Sequence, residues 1–192
     1  MQMSRIVIFI SGNGTNARNI IQHFYFNKNV KVVGVFSTIS NLMMQEFCEN
    51  QNIAYVECLQ KPIHPSIYLD FCKQHKAVLI VLAGFLKRIP PELIEHYPKH
   101  ILNIHPSLLP KFGGKGMYGM HVHQAVIEAK ERVSGITIHY VNEEIDQGKH
   151  IAQFSTTLSP EETSDSLATK IHELEMRYFP VVIEHLLLNR SL

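Results

Sequence analysis

Three things are missing from this 192-residue chain, and each closes a door. There is no excess of one charge. Lys and Arg number 18 against 17 Asp and Glu, a formal net charge of +1, so no basic field argues for a nucleic-acid or membrane partner. There is no long apolar run. No stretch reaches the ~18–20 residues that a membrane span needs, and Ile6–Ile10 reads as a strand core before Ser11-Gly12, not as a secretory leader. Paired cysteines are missing too. Cys48, Cys58 and Cys72 are odd in number and lack CxxC spacing, which suits reduced thiols in the cytoplasm better than a disulfide frame or a zinc knot. What is present is an ordinary globular composition, 45% hydrophobic, in a chain long enough for a real core. Histidine is abundant, at 12 residues, and is the side chain whose charge changes most readily near neutral pH.

Strand-type runs fall at Arg5–Ile10, Val30–Phe36, Ile53–Glu57, Ala77–Leu82 and His100–Ile104. The first and fourth are continuously apolar at Val7–Ile10 and Val78–Leu82, as strands covered on both faces should be. Helical stretches lie between them. Asn16–Phe26 sets Ile20, Ile21, Phe24 and Tyr25 on one side; Asn41–Asn50 does so with Leu42, Met43, Phe47 and Cys48. Ser66–His75 offers Ile67, Tyr68, Phe71 and Cys72, and Pro91–Tyr97 opens with a proline. This alternation predicts an α/β fold, a mostly parallel sheet with helices on both faces. After the glycine-rich Phe112–Met120 comes a helix over His121–Lys130, with Val122, Ala125, Val126 and Ala129 inward. Two alternating, antiparallel strands are expected at Ser134–Val141 and His150–Thr157. Ser159-Pro160-Glu161-Glu162 signals a last, long helix with Leu167, Ile171, Leu174 and Tyr178 inward and a bend near Pro180. No repeat or linker divides the chain, so residues 1–192 are expected to form one domain. Its halves are 1–100, carrying a phosphate-binding turn, and 101–192, carrying the catalytic chemistry.

Ligands in such sheets sit beyond the carboxyl ends of the strands, and two strand ends are rich. Ser11-Gly12-Asn13-Gly14-Thr15-Asn16-Ala17 fits G-x-G-x-x-A between a strand and a helix. Its glycines and free helix N–H groups suit an anion. A dinucleotide would also need an acid at the end of the second strand, and Phe36-Ser37-Thr38 has none. A bare structural turn remains the alternative to a phosphate site. In Ile101–Lys111, Asn103 and His105 are two apart, so strand alternation points both to one side. An amide donor beside a titratable ring can serve acyl transfer, or be two polar residues before Pro106. Asp146, in Glu143–Gly148, supplies a carboxylate able to raise an imidazole pKa, or is a solvated turn residue. His105, His121, His123 and His139 can be drawn as a metal set, but no cysteine or paired acid completes it, and no metal is expected. Ser107 lies outside a G-x-S-x-G elbow, against a serine hydrolase.

Together, S-G-N-G-T-N at 11–16, N-I-H-P-S-L-L-P-K at 103–111 and D-Q-G at 146–148 resemble the folate-dependent formyltransferase family. The glycine turn resembles its glycinamide ribonucleotide branch. A-G-F at 83–85 and E-x-x-Y-F-P at 175–180 are also in register, so the resemblance covers nearly the whole chain. It implies a single-domain, Rossmann-like formyltransferase fold and transfer of a formyl group from 10-formyltetrahydrofolate to the amine of glycinamide ribonucleotide in purine biosynthesis. It implies Asn103 as the formyl-oxygen donor, His105 as general acid and Asp146 as the carboxylate raising its pKa. It implies Gly14, Thr15 and Asn16 at the substrate phosphate, Glu175 at the ribose, and Leu86, Lys87, Arg88 and Ile89, with Asn103, at the folate. The folate is a co-substrate, and no metal, nucleic acid or membrane is implied. A cytoplasmic monomer or homodimer is expected.

The chain departs from the family pattern in three places. Leu86-Lys87-Arg88-Ile89 stands where M-R-I-L is common. The loop Phe112–Met120 is longer than in the commoner form and reads as a flap by the substrate. His64 and Pro65 stand where relatives place an arginine near the folate tail. Alternatives are a formyltetrahydrofolate hydrolase, which usually has an extra N-terminal domain, a methionyl-transfer-RNA formyltransferase, which carries a further C-terminal domain and basic surface, and a non-catalytic nucleotide-binding module.

Overall fold

The computed structural model describes residues 3–189. The elements follow as β1 (Ser4–Ile10), α1 (Thr15–His23), β2 (Val30–Ser37), α2 (Leu42–Asn50), β3 (Ala54–Glu57), α3 (Pro65–Gln74), β4 (Leu79–Leu82), α4 (Pro91–His96), β5 (Ile101–His105), α5 (Met120–Glu128), β6 (Val133–Tyr140), β7 (His150–Thr157) and α6 (Ser164–Leu188). The strands are ordered β3-β2-β1-β4-β5-β6-β7 in one sheet. β1 runs parallel to β2 and β4, and β2 to β3, whereas β6 and β7 are antiparallel. This is the α/β architecture that the alternation predicts.

Two compact units are distinguished, one running to Leu102 and resuming at Ile183, the other Asn103–Val182. In the first, Ile6 to Ile10 of β1 are fully buried. Phe9 packs on Phe36 at 5.2 Å and on Phe85 at 5.4 Å, and Tyr68 and Phe71 close the cluster against Phe36 at 5.1 and 5.5 Å. Such ring pairs add about 0.5–1.5 kcal/mol each beyond area burial.

Helix α2 buries only part of the expected face, Cys48 fully and Phe47 in part. Met44 and Cys48 are buried, while Leu42 and Met43 are exposed. Asn41 sets the phase: its Oδ1 accepts from the Met44 N–H at 2.9 Å, capping the helix so that the i, i+4 pair Met44 and Cys48 faces inward. Tyr25, expected inward, is exposed because α1 ends at His23, before it. The last turns of α6 group with this unit, where Glu184 meets His23 at 2.8 Å and Asn27 at 2.7 Å.

In the second unit β7 alternates as expected, but β6 is buried on both faces from Ser134 to His139. Thr137 and His139 face inward and are met there by hydrogen bonds, whereas the buried Ser134 hydroxyl has no partner among the described residues. Helix α5 keeps Val122 and Val126 buried, and Ala129 is exposed beyond its end. Helix α6 starts later than Ser159 because Thr163 is the cap, its Oγ1 taking the Ser166 N–H at 3.1 Å. The helix continues through Pro180.

Candidate active site

The glycine turn leaves β1 through Ser11, whose N–H donates to the Gly84 carbonyl at 3.1 Å. The Ser11 hydroxyl pairs with Thr38 at 2.7 Å and accepts the Leu86 N–H at 3.0 Å. One side chain thus ties the turn to the end of β2 and to the 86–89 segment. Asn41 adds a bond from its Nδ2 to the Gly12 carbonyl at 3.1 Å. Gly14 is the N-cap of α1, at φ 76°, a conformation that costs glycine little and other residues more. It offers no side-chain cap, and no acid occupies the first turn, an electrostatic setting that suits an anion at a helix N-terminus. Thr15 is exposed beside it and Asn16 half-buried. In the 86–89 segment Leu86, Lys87 and Arg88 are exposed and Ile89 is buried, so Ile89 contributes to the core.

The second unit holds the catalytic candidates together. Asp146 grips both polar residues of β5, one with each oxygen. Its Oδ2 lies 3.4 Å from His105 Nδ1, and its Oδ1 lies 3.5 Å from Asn103 Nδ2. Asp146 reaches them from a left-handed backbone conformation, φ 58°, which Asp tolerates better than most residues. Gly148, two residues on, permits the approach: a Cβ there would sit 1.6 Å from the Tyr140 carbonyl oxygen. The glycine-rich loop lies on the same group. His105 Nε2–H donates to the Phe112 carbonyl at 2.8 Å, and the Gly114 N–H donates to Asp146 Oδ2 at 3.0 Å.

Acceptors therefore flank both ring nitrogens of His105, which favours the imidazolium. Burial opposes them. His105 is only 3% exposed, and burial pushes its pKa below the ordinary histidine value although Asp146, the Phe112 carbonyl and Glu175 push it up. The expected lift from Asp146 is present but outweighed. Burial raises the Asp146 carboxyl in turn, yet the His139 ring, the charge of His105 and the Gly114 N–H together hold it below the usual carboxylate range. Glu175 on α6 belongs to the same electrostatic group: it also raises the proton affinity of His123, which burial lowers. It meets His172 at 3.3 Å and raises that ring's pKa.

Four residues that hold this arrangement carried no expected role in it. The Thr137 hydroxyl donates to the Ser107 carbonyl at 2.7 Å and accepts the Leu109 N–H at 2.9 Å. Gln153 Nε2 reaches both Leu109 O and Thr137 Oγ1 at 2.9 Å, and the Ser107 hydroxyl donates to Lys111 O at 2.6 Å. His139, 2% exposed, lies 3.1 Å from Asn103 Nδ2. The polar half of the β6 alternation, Thr137 and His139, was the available signal. Of the drawn metal set, His105 and His139 share the site, and among the described residues no group of three His, Cys, Asp or Glu side chains is placed to hold an ion.

The formyl transferase family model matches residues 4–183. The chain is 38% identical over 186 residues to the chloroplastic phosphoribosylglycinamide formyltransferase of Arabidopsis thaliana, covering 93% of this chain and 64% of that protein. It thus spans somewhat under two thirds of that relative's length. It is 31% identical to the Haemophilus influenzae phosphoribosylglycinamide formyltransferase, covering 95% of this chain and 86% of that one. Glycinamide ribonucleotide transformylase 1 of Geobacillus kaustophilus superposes with a TM-score of 0.87 at 30% identity, covering 97% of this chain and all of the other. With 180 consecutive residues matched by the family model, from 4 to 183, and the N-x-H pair of β5 gripped by Asp146, the chain belongs to the formyl transferase family, on the branch of the phosphoribosylglycinamide formyltransferases.

Proposed function

We propose that the protein transfers a formyl group from 10-formyltetrahydrofolate to the amine of N1-(5-phospho-D-ribosyl)glycinamide, a step of purine biosynthesis. The observation that carries the proposal is the double grip of Asp146 on Asn103 and His105. It sets a half-buried amide donor beside a buried titratable ring.

The amine nitrogen attacks the formyl carbon, and negative charge develops on the formyl oxygen. Asn103 Nδ2–H and protonated His105 stabilise that oxygen; one such donor is worth ~10²–10³ in rate. The bond from the formyl carbon to folate N10 then breaks. N10 gains a proton and the attacking nitrogen loses one, with His105 and a water held by Asp146 as carriers, help worth ~10²–10⁴. The products are the N-formyl amide and tetrahydrofolate. The transfer as drawn calls on no metal.

In this proposal Gly14, Thr15 and Asn16 hold the substrate phosphate and Glu175 the ribose hydroxyls. The Leu86–Ile89 segment receives the folate, its contacts made by backbone and by the exposed Leu86, since Ile89 is buried. Both substrates are small molecules. Among the described residues no helix is long and apolar enough to cross a membrane. The three free thiols support a cytoplasmic setting.

The test follows folate absorbance with and without the glycinamide ribonucleotide. Conversion of 10-formyltetrahydrofolate to tetrahydrofolate with one equivalent of formylated amide, only when the ribonucleotide is present, is the expected result. Release of formate at the same rate without the ribonucleotide would make the protein a hydrolase and sink the proposal.

A further inference from the structure

We infer that Ser11 is a positioning residue whose hydroxyl holds the 86–89 segment against the glycine turn, and so presets that segment for the folate. The inference deepens the formyl-transfer reading and rests on it.

β1 and β4 run parallel with Phe9 beside Leu82, and their bonding continues past the end of β4. Ala83 N–H donates to the Phe9 carbonyl at 3.0 Å, and Ser11 N–H to the Gly84 carbonyl at 3.1 Å. Gly84, at φ 70°, then turns the chain away in a conformation that favours glycine. The Ser11 hydroxyl catches the chain after this turn, accepting the Leu86 N–H at 3.0 Å. Chemistry settles the direction of that bond, because a backbone N–H can only donate. A side chain thus carries the link between β1 and the β4 end one step further than the backbone does.

The hydroxyl is itself braced from the β2 side. Thr38 N–H donates to the Ile10 carbonyl at 3.1 Å, just beyond the pairing of Ile10 with Ser37. The Thr38 hydroxyl, on a residue 4% exposed, lies 2.7 Å from the Ser11 hydroxyl. Whichever of the two donates, Ser11 Oγ keeps a lone pair for Leu86. Thr38 follows the end of β2, where a dinucleotide-binding fold carries its acid. Here the side chain at that place serves the neighbouring strand.

Phe85, packed on Phe9 at 5.4 Å, and the buried Ile89 anchor the ends of the segment. Both contacts are apolar and non-directional; the Leu86 bond between them sets the direction of the backbone. With its N–H spent on Ser11, Leu86 offers the folate its carbonyl oxygen and its exposed side chain. The glycine turn has ties of its own, from Asn41 Nδ2 to the Gly12 carbonyl at 3.1 Å and from Arg18 N–H to the Gly14 carbonyl at 2.9 Å. Loss of the Ser11 hydroxyl therefore falls on the folate segment and spares the phosphate turn.

Calorimetric titration of the whole protein with tetrahydrofolate alone, and separately with glycinamide ribonucleotide alone, tests this. Ser11→Ala is expected to weaken tetrahydrofolate binding about 3- to 10-fold, the worth of one directed hydrogen bond. Ribonucleotide affinity should stay within about twofold of wild type, since the bonds of the turn persist. Thr38→Val removes the brace and keeps the Ser11 hydroxyl. It is expected to shift the same ligand by a smaller factor, and to add nothing in a Ser11→Ala background. If Ser11→Ala does not fold, Thr38→Val alone reads the same split between the two ligands. Equal losses for both ligands would make the hydroxyl a general support of the sheet and overturn the inference. Unchanged tetrahydrofolate binding, or losses that multiply in the double variant, would overturn it too. Failure of the formyl-transfer reading is distinguishable, since the wild-type protein would then fail to bind one of the two ligands.

Discussion

In β1, Ile6 to Ile10 are fully buried and bring only hydrocarbon and a ring into the core. In β6, Ile136 and Ile138 do the same, but Thr137 and His139, 0% and 2% exposed, bury polar atoms. Equal exclusion of water rests on two kinds of attraction. Hydrocarbon burial is non-directional and tolerates exchange of similar volumes. Buried polar groups are all or nothing, because each unmet donor or acceptor costs its full desolvation. The β1 strand therefore speaks to stability, and the polar row of β6 to the placement of Asn103, His105 and the 107–111 turn.

Substitutions can break this comparison from either side. The largest effect is expected for His105→Ala, which should cost ~10²–10⁴ in formyl-transfer rate while the melting temperature stays near that of the wild type. Near-normal single turnover would remove His105 from the reaction. The converse is Phe9→Ala, which opens a cavity among Phe36, Tyr68, Phe71 and Phe85. It should cost about 3–5 kcal/mol of stability in denaturant unfolding and leave the rate of the folded fraction unchanged. Thr137→Val sharpens the contrast, since it keeps the shape and removes the hydroxyl. It leaves Leu109 N–H unmet and takes one partner each from Ser107 O and Gln153, and should lose about 1–3 kcal/mol together with some rate. A stable variant with full activity would mean the polar row is incidental.

The same contrast explains what could be read from the chain. Continuous apolar runs such as Val7–Ile10 announce strands covered on both faces, and alternation put Asn103 and His105 on one side. Alternation in β6 was legible too, but it does not say whether the polar side is wet. Thr137 and His139 meet partners in β5 and in the 107–111 turn, distant in sequence, so their roles appear only in three dimensions. The phase of α2 was missed because the Asn41 cap, and not the apolar count, sets which residues turn inward. The depth of His105 is the most consequential gap. A nearby carboxylate predicts a raised pKa, and only the fold reveals that burial acts against it and wins.

That balance is the centre of the account, and a pH profile of single-turnover formyl transfer tests it directly in wild type and Asp146→Asn. As proton donor, His105 must be charged, so the rate falls as pH rises through its pKa. Asp146 raises that pKa against the effect of burial, so removing its charge lowers the pKa further. The falling alkaline limb should move to lower pH in Asp146→Asn, with a reduced plateau. An alkaline limb at the same pH in both proteins would contradict the assignment of His105 and Asp146 as a working pair.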